Sequence, residues 1–70
     1  MTTVLKLKNK GVVFVATFDA DGVLDTVERD GVSLTANNAA AKIIAKNASH
    51  IRAGIMPARM EATGWTWVPQ

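Results

Sequence analysis

Seventy residues suffice for one domain, which buries only about 60% of its unfolded surface and leaves little room for a buried active-site cleft. With no cysteine the chain forms neither a disulfide nor a thiolate zinc site, so packing of its 49% hydrophobic residues has to hold the fold. The net charge is only +2, yet it is segregated: lysines at the start, acids over residues 19–30, and Lys42, Lys46, Arg52 and Arg59 over a stretch without an acid, which implies a dipolar surface.

Residues 4–8 alternate Leu5 and Leu7 with Lys6 and Lys8, the period of a half-buried strand. Lys6, Lys8 and Lys10 ahead of an apolar run have the outline of a signal peptide. That run ends at Asp19 and Asp21 without a small-residue cleavage pattern, so no leader is expected. No stretch approaches the ~20 apolar residues of a membrane span, and a cytoplasmic location is the default expectation. Val12–Phe18 is β-branched and aromatic on both faces, as in a central strand. Gly11 leaves two arrangements open: one long strand with a bulge, or two short strands.

Asp19-Ala20-Asp21-Gly22 is a turn signal, because aspartate bonds its own backbone and glycine accepts positive φ. Residues 23–29 then return as a strand, Asp30-Gly31 turns again, and residues 32–34 close a three-strand meander. The spacing predicts a helix over residues 37–47, capped by Thr35 or Asn37. It would pack through Ala40, Ile43, Ile44 and Ala48 and turn Lys42 and Lys46 outward. Beyond His50, the alternation of Ile51, Ala53 and Ile55, interrupted by Pro57, predicts an edge strand or extended loop through residue 62. Thr63-Gly64 turns the chain into a last strand over residues 65–68. The expected architecture is a single α+β domain over residues 1–70, a three- to five-stranded, mainly antiparallel sheet with one helix on one face.

The chain offers little to reaction chemistry. His50 stands beside Ser49 at a helix end with no acid near in sequence to orient it, and a surface or capping role is expected. The acidic turn at residues 19–22 lacks the later ligands of a calcium loop, and its carboxylates sit where water reaches them. A non-enzyme without metal or cofactor is the expectation. Candidate partner-binding residues are the cations Lys6, Lys8, Lys42, Lys46, Arg52 and Arg59, with Trp65 and Trp67 either closing the core or forming a platform.

The order of residues 13–18, Asp21-Gly22, Asp30-Gly31, Ser33-Leu34-Thr35 leading into Ala39-Ala40-Ala41, and Gly64-Trp65-Thr66-Trp67 resembles small modules associated with restriction and methylation systems. In size and architecture the chain also resembles compact bacteriophage inhibitor proteins, anti-CRISPR proteins among them, with Ser33-Leu34-Thr35 before an alanine-lysine helix as the local feature. That resemblance implies a phage-type inhibitor that occludes a surface of a host protein complex, located in the host cytoplasm if the chain is phage-encoded. Two alternatives stand beside it: a DNA-binding module whose helix cations meet phosphate and whose tryptophans stack on bases, and a phage structural or accessory subunit, monomeric or a small homo-oligomer.

Overall fold

The computed structural model describes residues 2–69. The elements follow as β1 (Thr3–Asn9), β2 (Val12–Phe18), β3 (Leu24–Arg29), β4 (Val32–Ser33), α1 (Ala39–Lys46), α2 (Ala48–Arg52), α3 (Ala58–Ala62) and β5 (Trp65–Trp67). The first four strands form an antiparallel meander, and β5 returns to pair antiparallel with β1, giving the order β4-β3-β2-β1-β5. The fold is α+β, with all three helices following the meander and covering the face of the sheet that carries Leu7, Phe14, Ala16 and Val27.

Gly11 marks a hairpin. Lys10 and Gly11 have φ of 50° and 82°, and Leu7 stands opposite Phe14, so residues 3–18 are two paired strands rather than one bulged strand. Asp30 and Gly31 repeat the geometry with φ of 54° and 80°, because the tightest hairpin loops take positive φ at both central positions. The wider β2–β3 turn is built by Asp19, whose Oδ1 accepts from the Asp21 and Val23 amides at 2.9 and 3.0 Å. A bulge follows: Thr17 faces Thr26, but Phe18 faces Leu24, leaving Asp25 over. Without it Leu24, three residues from inward-facing Val27, would point to the bare face.

α1 begins at Ala39, one residue later than a cap at Asn37 would set it and three later than a cap at Thr35. The Oδ1 of Asn38 accepts from the Ala40 and Ala41 amides at 2.9 and 3.3 Å, the work expected of Thr35 or Asn37. The buried line also shifts: Ala41 and Ile44 pack on the sheet, Ala40 and Ala48 are half-buried, and Ile43 remains 38% exposed at the margin. Small alanines bring the helix close to the strands.

The edge strand or loop expected over residues 51–62 is instead two short helices. α2 ends in a paired-bond cap: the Gly54 amide donates to Ile51 O at 3.0 Å, the Ile55 amide donates to His50 O at 2.9 Å, and Gly54 takes a φ of 80°. Pro57 starts α3, since its fixed φ suits a helix entry and its carbonyl accepts from Met60 and Glu61. Both helices turn one large side chain inward, Ile51 and Met60, at 0% and 1% exposure. Among the described residues no polar or charged side chain is buried, so the core is wholly apolar.

Candidate interaction surfaces

The two layers divide the expected cations. Strand alternation turns Leu5 and Leu7 toward the helices, so Lys6 and Lys8 stand on the opposite, bare face of the sheet. Lys42 and Lys46, at i and i+4, project from the exposed side of α1; Arg52 and Arg59 are exposed on α2 and α3. Lys6 and Lys8 therefore do not join the helix cations in one patch, because the sheet lies between them.

Arg52 has a local role in the fold. A Cβ placed on Gly22 would lie 2.5 Å from its Nε, so the guanidinium rests against the backbone of the turn that carries Asp19 and Asp21. Glycine is the side chain that leaves room for this approach, and its φ of 83° suits glycine as well. The contact ties α2 to the acidic tip of the β2–β3 hairpin. Lys42, Lys46 and Arg59 remain exposed on helices where Glu61 is the only acid.

The tryptophans separate despite sharing a face. Trp65 is 3% exposed, its ring centroid 5.1 Å from that of Phe14 at a tilt of 44°, so its indole closes the core and leaves little surface to a partner. Trp67, opposite Leu7, is half-buried and lines a depression of about 300 Å³ with Met56, Glu61, Trp65 and Thr66. Its exposed part can touch a partner from the edge of the sheet. A second open groove, of about 210 Å³, runs between β3 and α1, with Leu24, Thr26, Leu34, Ala41 and Ala45 in its walls and Asp25 as its one titratable side chain. A lone carboxylate among apolar groups can bind or orient, but it has no acid–base partner there.

Ser49 and His50 are exposed on α2. The bare sheet face carries the other distinctive set: Val4 and Val13 are 47% and 37% exposed, beside Lys6, Val15, Thr17, Thr26 and Glu28. No single residue of that set marks it in the sequence; what makes it a surface is that every helix packs on the other side. No protein-family model, curated protein or solved structure matches the chain.

Proposed function

We propose that this chain is a non-catalytic binding protein of the phage-inhibitor type, which occludes an acidic surface of a larger protein complex with its helix layer. The observation that carries this reading is the charge of that layer. Lys42, Lys46 and Arg59 are exposed on α1 and α3 with Glu61 as the one acid of the helices, and Arg52 of α2 leans on the turn of Asp19 and Asp21; Asp25, Glu28 and Asp30 lie on or beside β3. Such a one-signed face steers association with an acidic partner and disfavours a basic one. A DNA-binding module using the same cations is the weaker reading, since of the two indoles expected to stack on bases Trp65 is packed against Phe14 and Trp67 is half-buried.

The test is charge reversal at two exposed positions. Parent and Lys42→Glu/Lys46→Glu proteins, matched by circular dichroism, are used as baits in bacterial lysate at about 50 mM and about 200 mM salt. A specific protein retained by the parent, more at low salt, and lost on reversal is the expected result. Retention indifferent to reversal, or no specific protein at all, overturns the reading. Binding of purified duplex DNA that falls steeply with salt moves the target to nucleic acid.

A further inference from the structure

The bare face of the sheet is patterned in rows. Across β1, β2 and β3, Val4, Thr17 and Thr26 stand in one row, and Lys6, Val15 and Glu28 in the next. Lys8 and Val13 share a third, with Thr66 of β5 beyond Lys8. Down the central strand the same pattern gives an apolar, β-branched stripe of Val13, Val15 and Thr17. A column of cations, Lys6 and Lys8, lies on one side of the stripe, and Glu28 lies on the other. Exposed valines on a face without a covering layer lose contact with water only if something packs on them.

We infer that this face is the contact between two copies of the chain, packed sheet on sheet about a two-fold axis parallel to the strands and running over β2. The charge pattern selects that axis. It lays Val15 on Val15 and reverses left and right, so Lys6 of each copy stands over Glu28 of the other, and Val4 over Thr26. A two-fold axis lying across the strands at the same row would instead set Lys6 over Lys6 and Glu28 over Glu28, opposing like charges twice. Packed sheets lie ~10 Å apart, a gap that Lys and Glu side chains reaching from both sides can span.

The size of the face sets the strength of the contact. Only β1 and β2 run seven residues, about 23 Å; with β3 at six, β4 at two and β5 at three residues, and ~4.8 Å between strands, the face covers about 400 Å² per copy. Two such faces bury about 800 Å², short of the ~1,000 Å² of a stable specific interface, so the contact is weak and the dimer dissociates on dilution. Its helix layers face outward on both sides, and it stands independently of the function proposed above, whose cations lie across the sheet.

Light scattering after size exclusion, from about 10 µM to about 1 mM protein, tests it. The parent should pass from one chain mass to two as concentration rises. Lys6→Glu and Glu28→Lys, each opposing like charges twice in its own homodimer, should weaken association about tenfold or more. An equimolar mixture of the two variants should associate again, because position 6 of either copy then meets the opposite charge at position 28. The doubly swapped chain, Lys6→Glu/Glu28→Lys, should dimerise by itself. Recovery in the mixture also shows that each variant had folded. A parent monomeric throughout, single variants that dimerise as the parent does, or a mixture that stays monomeric overturns the inference.

Discussion

Trp65 and Trp67 show how much two residues of one type, on one strand and one face, can differ. Trp65 stands beside Phe14 under the helices, whereas Trp67 lies at the edge with Met56 and Glu61. Replacing Trp65 with alanine removes a whole core side chain and should cost about 3–5 kcal/mol. That is a large part of the roughly 4–10 kcal/mol expected of a chain this short. Trp67→Ala should cost markedly less, since part of its indole already meets water. Urea titration of both variants measures the difference. In Trp67→Phe the remaining indole should emit to the blue and resist iodide; ready quenching of Trp65 would contradict its burial.

At the scale of elements, the helices are too short to be stable alone, so their ends and their packing decide whether they form. α1 depends on Asn38, whose side chain satisfies two free amides; Asn38→Ala should cost about 1 kcal/mol. α2 depends on Gly54, and alanine at its φ of 80° should cost about 1–2 kcal/mol. Both should lower the midpoint of urea unfolding without altering its slope, because neither changes the surface exposed on unfolding. A slope that changed for Gly54→Ala would mean that α2 unravels separately.

For the molecule as a whole, one apolar core joins the helix layer to the sheet, and the buried side chains among the described residues all belong to it. Ile44, with 0% exposure, lies at its centre. Ile44→Asp would bury a charge without a partner, since no polar side chain among the described residues lies in the core to receive it, and should leave the chain unfolded at 25 °C. Thermal melting monitored by circular dichroism checks this; a cooperative transition at the parent's temperature would contradict the assignment. Segregated charge is the other whole-molecule property, with acids toward β3 and cations on the helix layer, and Arg52 against Gly22 links the two.

The sequence by itself determined what depends on near neighbours. Alternation marked residues 4–8 and 12–18 as extended but left open whether Gly11 bulges one strand or separates two; Asp19 to Gly22 and Asp30-Gly31 marked turns, and the alanine-lysine spacing placed α1 to within two residues of its start. Ile51, Ala53 and Ile55 misled, because alternation over five residues fits a strand as well as a helix end. The signal that separates them was Gly54 followed by an apolar Ile55, the mark of a left-handed cap. Only the tertiary structure decided which of two tryptophans enters the core, which way Leu24 faces, and on which side of the sheet each cation lies. Those outcomes follow from the pairing of β5 with β1, a bulge opposite Thr17 and Phe18, and three helices on one face. Each is a contact between residues far apart in the chain, with an energy that exists only once the layers meet, so no local pattern encodes it.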